Sequence, residues 1–444
     1  MTVVGLDDTD SRELGMCTTY VADSIANRLD RGGAVERLLL CRLNPAVPHK
    51  TRGNAALAIH VDCDPEWAFD VAREELERLS ETDDERTNPG LVVAEGSPEA
   101  IPSAVAEFAR MAVRDHHEIA DAETLADDCG YRRWRAGNGR GTIGALAGVG
   151  AWAAFDEWTY EVISYRHPDR WGTPRRVDRE SVFAAAEWGY PDAWDTVDRG
   201  EGETVCVPHT PGPILHGIRG DDSDVVREVA RRIESESVDQ RRLFVTNQGT
   251  DAHLRDGTDD SLADVRDGRA YILEGVVASE PETRRGGHVF FELADGRDDD
   301  PTDESADDPT DEPAEKTNRI ECAAFEPTKR FRDRVRALRV GDRLTVCGEL
   351  SRGTCKLEKF AVRDLVETTR VVPTCPACGR TMESAGREQG YRCRSCETSR
   401  PGKVVETLDR DLEKGWYEVP PCARRHVAKP LIRGGFDGPV HPER

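Results

Sequence analysis

Four cysteines carry the spacing of a metal site. Cys375 and Cys378 are two residues apart, 14 residues follow, and Cys393 and Cys396 repeat the pair. Each pair can set two thiolates on one tight turn, and two such turns close a tetrahedron around zinc. Four thiolates leave no open coordination position, so the expected role is structural, with iron of the rubredoxin kind as the alternative metal. The chain holds 13 Cys in all, and the others show no pairing pattern. That points to a reducing compartment and away from a disulfide framework. Cys422 lies outside the pattern and reads as an ordinary small residue.

A second cluster is acidic. Gly5-Leu6-Asp7-Asp8-Thr9-Asp10-Ser11 follows an expected strand, Val3–Leu6. Three carboxylates at a strand end repel one another unless a cation relieves them. Hard oxygen ligands suit Mg²⁺ carrying nucleotide phosphates. A solvated acidic turn is the plain alternative, but it accounts less well for Gly15-Met16-Cys17-Thr18-Thr19-Tyr20. There two hydroxyls stand at an expected helix start, where free N–H groups attract anions. The combination reads as a phosphoryl-transfer site, with Asp7, Asp8, Asp10 and Thr18 as catalytic candidates and Thr19 beside them. No Gly-x4-Gly-Lys-Ser/Thr occurs, which excludes a P-loop enzyme.

Two segments could complete that site. In His49–Asn54, Lys50 and Arg52 could neutralise phosphate charge, with Asn54 next to them, and Lys50 is the only Lys before residue 316. In the run Gly137–Gly144, Gly141 and Gly144 could bring backbone N–H groups close to a phosphate, or could simply pack a helix. Further on, Thr246-Asn247-Gln248-Gly249-Thr250-Asp251 could hydrogen-bond a polar ligand or a base edge, or form a solvated turn. Near the C-terminus, Arg424, Arg425, His426 and Lys429 place three cations and a His within six residues. Such a cluster could position RNA phosphates, or the tail could pack back across the ribbon.

The elements that must hold these residues follow from periodicity. Residues 1–150 read as mixed α and β: a helix over Leu14–Leu29, strands Val35–Leu43 and Ala55–Val61, a helix over Glu66–Leu79, a strand Leu91–Ala94 and a helix over Ala100–Arg114. Residues 151–260 follow the β-α-β-β-α-β order of a ferredoxin-like unit: Tyr160–Arg166, Arg179–Glu187, then Asp195–Val197 or Val205–Val207, then Ile214–Ile218, Asp224–Ile233 and Leu243–Thr246. Residues 261–370 show five alternating strands with one helix, Thr328–Leu338, between the third and fourth, the pattern of an OB-fold barrel. The insert 295–315 holds 11 acidic residues, three Pro and Arg297 as its only cation, so it reads as a disordered loop. Residues 371–444 hold the ribbon and a basic tail. The fold class expected is therefore α+β and multidomain.

Composition sets the surroundings. The 444 residues include 61 Lys+Arg and 85 Asp+Glu, a formal net charge of -24, and Lys fills only eight positions. Many carboxylates with little Lys suit a cytoplasm holding molar salt, where screening acts over roughly 3 Å. In such salt whole-chain acidity says little about nucleic acid, because counterion release is largely lost. Local charge is more informative: residues 370–444 carry 14 Lys/Arg against 10 Asp/Glu. No stretch approaches the roughly 18 apolar residues of a membrane span, and the N-terminus lacks a secretory pattern, so a cytoplasmic protein is expected.

Taken in order, Gly5-Leu-Asp-Asp-Thr-Asp-Ser, Gly15-Met-Cys-Thr-Thr-Tyr, Lys50-Thr-Arg-Gly-Asn, Arg140-Gly-Thr-Ile-Gly-Ala-Leu-Ala, Thr246-Asn-Gln-Gly-Thr-Asp and Ala423-Arg-Arg-His-Val-Ala-Lys-Pro-Leu resemble the archaeal tRNA(Ile) 2-agmatinylcytidine synthetases. The resemblance runs from residue 2 to about 433. It implies a kinase-like domain, a ferredoxin-like domain, an OB-fold and a zinc ribbon. It also implies a ligase that uses ATP to phosphorylate the C2 oxygen of the wobble cytidine in a tRNA(Ile) with a CAU anticodon. Agmatine then displaces the phosphate at C2, AMP is also formed, and the tRNA decodes AUA. In the family a Thr of the helix-start segment is itself phosphorylated, which maps to Thr18 or Thr19. Agmatine is a dication, so its pocket should include a carboxylate, for which Asp251 is the candidate. A rival reading is a non-catalytic OB-fold and zinc-ribbon protein that binds single strands, and a small-molecule kinase is another.

Overall fold

The computed structural model describes residues 1–48, 53–257, 262–296, 318–387 and 389–444. Lys50 and Arg52, and the acidic insert from residue 297 on, lie outside the described residues.

The N-terminal unit runs β1 (Thr2–Asp7), α1 (Thr18–Leu29), β2 (Ala34–Arg42), β3 (Ala55–Asp62), α2 (Pro65–Leu79) and β4 (Gly90–Glu95). Its strands lie in the order β4-β1-β3-β2. That is the same antiparallel β-α-β-β-α-β arrangement expected only for the following unit. Three elements absent from the sequence reading are α4 (Ile119–Asp128), the edge strand β5 (Arg132–Arg135) beside β4, and the helical form of the Gly-rich run, α5 (Gly141–Ala154); α3 (Ser103–Arg114) was expected. Successive residues of β1 face opposite ways. Val4 and Leu6 pack under α1 and α2, whereas Val3 packs with α3 and α5.

The second unit runs β6 (Thr159–Arg166), α6 (Arg179–Gly189), β7 (Ala193–Trp194), β8 (Ile214–Gly220), α7 (Ser223–Arg232) and β9 (Val238–Thr246). Its second strand is Ala193–Trp194, and neither Asp195–Val197 nor Val205–Val207. Backbone pairing of Ala193 with Gly220 and Trp194 with Arg219 sets that edge, while the loop after it is free to line a cavity. Sheet order β9-β6-β8-β7 joins β3-β2 through a parallel contact, Leu39 with Val245 and Leu40 with Thr246. Both units thereby form one nine-stranded sheet. Asn247 extends this seam with its side chain: Oδ1 accepts from Arg42 N (2.7 Å) and Nδ2 donates to Arg42 O (3.0 Å).

Two elements that lead into the barrel, β10 (Leu254–Asp256) and β11 (Arg269–Val277), pair in parallel. The barrel continues with β12 (Glu282–Thr283), β13 (Val289–Ala294), β14 (Arg319–Ala324), β15 (Arg343–Ser351) and β16 (Thr354–Asp364). It closes as β11-β13-β14-β16-β15-β11, with β14 and β16 parallel. This is the OB closure, and full closure removes sticky sheet edges. The helix over Thr328–Leu338 is shorter than expected, α8 (Phe331–Arg336), and plugs the barrel with Phe331 and Val335.

After the ribbon the chain returns. Strand Gly415–Glu418 pairs antiparallel with β16, and Val440–His441 pairs with that strand. The tail therefore packs against the barrel and the ferredoxin-like unit, and does not cross the ribbon. Among the described residues no helix is long and apolar enough to cross a membrane.

Candidate active site

The acidic cluster sits where β1 ends, at one end of a cavity of about 850 Å³ that spans the α1 face of the sheet across the seam. Asp8 turns the chain with a φ of 59°. Its backbone N–H donates to Asp7 Oδ1 at 2.7 Å. The α5 helix lies directly on this turn. A Cβ on Gly144 would overlap Asp7 Oδ2, so only glycine leaves room for that carboxylate. Burial, reinforced by Asp8, holds the Asp7 carboxyl well above its ordinary range. Burial raises Asp8 as well, and Arg140, whose Nη2 donates to Asp8 Oδ2 at 3.1 Å, partly offsets that. Burial thus disfavours charge on both Asp7 and Asp8, a cost that a hard cation bound between such oxygens would relieve.

Helix α1 begins at Thr18, later than the expected Leu14. Gly15 and Met16 both have positive φ (110° and 58°), and Ser11 and Gly15 close a tight turn by exchanging backbone bonds of 2.9 and 3.2 Å. This correction places Thr18 and Thr19 in the first turn of the helix, on the cavity wall. Thr9 Oγ1 donates to Thr18 Oγ1 at 3.1 Å. Asn54, on the same wall, is held through its Nδ2 donating to Asn44 O at 2.7 Å.

Other expected site residues lie elsewhere. Gly141 packs the helix: its Cβ would overlap the backbone of Gly90 and Asn88, so it is buried contact and not a phosphate loop. Gln248 is fully buried, accepts from Arg42 Nε at 3.1 Å and donates to Glu161 Oε2 at 2.5 Å. It positions two side chains of the cavity wall without lining the wall itself. Asp251 is taken by Lys359 Nζ (2.6 Å) and Lys429 N (2.7 Å), so it fastens the tail to the barrel and does not face the cavity. Arg424, 2 % exposed, pairs with Asp195 and with Glu418 Oε1 (2.8 Å). Arg425 pairs with Glu349 and with Glu358 Oε1 (3.1 Å), and Lys429 lies 3.6 Å from Glu157. The supposed phosphate-binding tail is mostly an internal lock, because carboxylates of the two domains it bridges already claim its cations.

The sequence reading missed Arg42, Glu161 and Arg219, which join the cavity wall from β2, β6 and β8. Their signal was present: charged residues on strands whose alternate positions, Val162 and Ile218, face α6 and α7. A Cβ on Gly217 would meet Glu161 Oε1 at 2.6 Å, so that glycine makes room for the carboxylate.

The four ribbon cysteines stand together, with all ligand sulfurs within 4.8 Å and Cys378 Sγ 3.6 Å from Cys393 Sγ. A zinc tetrahedron with Zn–S bonds of about 2.3 Å needs sulfurs roughly 3.8 Å apart, so the set fits. Burial pushes the Cys375 thiol up, yet N–H groups of Ala377 and Cys378 bring it down to about 6. The ribbon's apolar cluster is only Met382 and Tyr391 around Cys375 and Cys393. So small a core cannot fold by itself, and bound zinc contributes about 10–16 kcal/mol to such modules. Removing zinc with a strong chelator should release one ion per chain and abolish hydrogen-exchange protection across residues 372–412, while protection in the nine-stranded sheet persists. Retained protection in the ribbon would refute a metal-built module.

The fold and cavity define a multidomain α+β enzyme, with an acidic cavity shared by two ferredoxin-like units and with a barrel and zinc ribbon appended. Family models match it at residues 3–64 (TiaS TCKD domain), 139–253 (TiaS FLD domain) and 372–412 (TiaS C-terminal zinc ribbon domain). The chain belongs to the TiaS family. A tRNA(Ile) 2-agmatinylcytidine synthetase TiaS from Haloquadratum walsbyi is 53% identical over 465 residues, covering 100% of both chains. Its counterpart from Pyrococcus horikoshii is 38% identical, covering 97% of this chain and 96% of the other. A crystal structure of TiaS in complex with tRNA(Ile) and ATP superposes with a TM-score of 0.87 at 40% identity, covering 100% and 99% of the two chains. A complex of TiaS with tRNA(Ile), AMPCPP and agmatine gives 0.84 at 38% identity, with the same coverage.

Proposed function

We propose that this chain ligates agmatine to C2 of the wobble cytidine, position 34, of a tRNA(Ile) with a CAU anticodon, using one ATP and one water and forming 2-agmatinylcytidine, AMP and two phosphates, one of which carries O2 away from C2 and the other of which is released to water. The observation that carries the reading is the meeting of Asp7, Asp8 and Asp10 with the N-terminus of α1 at one end of a cavity large enough for more than one substrate. Asp7, Asp8 and Asp10 would hold magnesium, which when bound offsets charge on a transferring phosphoryl group. Thr18 and Thr19, with Asn54 and the α1 N–H groups, orient the phosphates, and Lys50 and Arg52, which lie outside the described residues, complete that cradle. The flipped cytidine receives a phosphoryl group on O2. This turns a poor leaving oxygen into phosphate, which departs when the agmatine amine attacks C2. Glu161 replaces Asp251 as the carboxylate offered to the dication.

By this reading residues 1–150 use the nucleotide, 151–260 close the substrate cavity, 261–370 form the OB-fold, and 371–444 carry the ribbon and the returning tail. Barrel and ribbon hold the tRNA by shape and backbone contacts. The setting is the cytoplasm. Labelled agmatine should enter a tRNA(Ile) transcript with a CAU anticodon in the presence of ATP and Mg²⁺, and none should enter a transcript with G34. Strand binding without nucleotide turnover would instead favour a non-catalytic binder.

A further inference from the structure

Of the charged tail segment, His426 alone opens onto the reaction cavity. Its neighbours are committed elsewhere: Arg424 to Asp195 and Glu418, Arg425 to Glu349 and Glu358. The backbone beneath His426 is pinned, because its carbonyl accepts from Gly249 N at 2.8 Å and the next carbonyl, of Val427, accepts from Asp251 N at 2.9 Å. The ring is pinned too, with Nδ1 2.9 Å from Arg219 Nη1. A guanidinium has only N–H donors, so Nδ1 must be the acceptor and must carry no proton. A neutral imidazole then has its proton on Nε2. The partner thus sets the tautomer, and the cavity is offered an N–H donor.

We propose that His426 is a fixed hydrogen-bond donor, brought by the C-terminal tail, to an acceptor atom of the cytidine inserted into the cavity. This rests on the function proposed above. Agmatine is excluded as its target, since a dication has no acceptor to offer to an N–H donor. Nucleotide phosphates are drawn to the acidic cluster and its metal at the end of β1. Strand β8, which carries Arg219, is five positions away from β1 in the sheet. At about 4.8 Å per strand the backbone of β8 is far from the aspartates. The ring itself stands beside Arg42 and Gly53, so an ATP phosphate held near Asn54 is the competing acceptor, which the KM for ATP reports. Cytosine O2 and N3 are acceptors and match the donor. The surrounding protein and the two guanidiniums of Arg42 and Arg219 also lower the imidazole's pKa, in keeping with the unprotonated Nδ1 that the Arg219 contact requires. The carboxylates nearest these cations are Glu161, on the cavity wall 4.0 Å from Arg42, and Asp195, 3.9 Å from Arg219.

Two near-isosteres test the idea. Gln can place a donor near the Nε2 position, and Asn can place an acceptor near the Nδ1 position. In agmatine incorporation, His426→Ala and His426→Asn should raise KM for tRNA or lower kcat/KM for tRNA about three- to tenfold. His426→Gln should recover most of that loss, and KM for ATP and for agmatine should stay at the wild-type value in all three. Wild type and His426→Gln should have parallel pH profiles between pH 6 and 8. Rescue by Asn but not Gln would make the residue a structural latch on Arg219 and overturn the proposal. So would an effect confined to ATP, or an acid limb near the ordinary histidine value that Gln removes. If wild type incorporates agmatine and His426→Ala matches it, this inference alone falls; if wild type incorporates none, the proposed function falls first.

Discussion

Asp8→Asn should reduce ATP-dependent agmatine incorporation by at least about 10²–10³-fold while leaving the ligand-free fold no less stable. Removing a single preorganised electrostatic stabiliser from a dry site costs about that much in kcat. Asp8 lines the cavity beside Asp7, and burial already disfavours its charge. Neutralising it removes repulsion with Asp7 and Asp10, and Arg140 keeps a second partner in Arg86 O at 2.7 Å. The same replacement should abolish stabilisation of the chain by added Mg²⁺, read as a shift in Tm with and without the ion. Full activity in Asp8→Asn, or an unchanged Mg²⁺ shift, would remove the acidic cluster from the reaction. Sites that carry such strain commonly exchange stability for activity.

Arg424→Ala should destabilise the docking of the tail by about 3–5 kcal/mol, the cost of leaving buried partner charges uncompensated. Asp195 is 2 % and Glu418 1 % exposed, and both lose their shared cation. Strand Gly415–Glu418 should then exchange its amide hydrogens faster by a factor on the order of 10²–10³, a local readout that does not assume two-state unfolding of a multidomain chain. Because the pair is buried, the loss should persist in molar salt, where an effect between surface charges would be screened. Adding Asp195→Asn should recover part of it. An Arg424→Ala chain whose tail exchanges as slowly as wild type would show that the lock carries no weight. Incorporation should also fall, because His426 follows Arg424 by two residues and enters the cavity on the same backbone.

How much of this was legible in the residues depends on the range over which each signal acts. The ribbon was legible because two short knuckles bring their own ligands together within a few residues. The acidic strand end and the hydroxyl pair at the start of α1 were legible for the same reason. The start of α1 was misplaced by four residues because a left-handed conformation at Met16 breaks a pattern that hydrophobic spacing alone would continue. The N-terminal unit's ferredoxin-like order went unseen because strand pairing, and not strand composition, defines it. Gly141 and Gly144 look alike in sequence. Only the approach of α5 to β1 and β4 separates a packing glycine from one that makes room for a carboxylate.

The sequence by itself determined the second ferredoxin-like unit, the barrel, the ribbon with its four cysteines and the aspartates after the first strand, since each depends on neighbours close along the chain. Tertiary structure decided which of the remaining charges face a substrate. Arg42, Glu161, Arg219 and His426 come from two units and a tail, and meet only after β2 pairs with β9 and the chain returns across the barrel. Arg424 and Asp251, equally polar on paper, are consumed in holding that return in place. A charge is available for chemistry only if folding leaves it on the cavity wall, and which charges reach that wall from segments distant in sequence is chosen by topology.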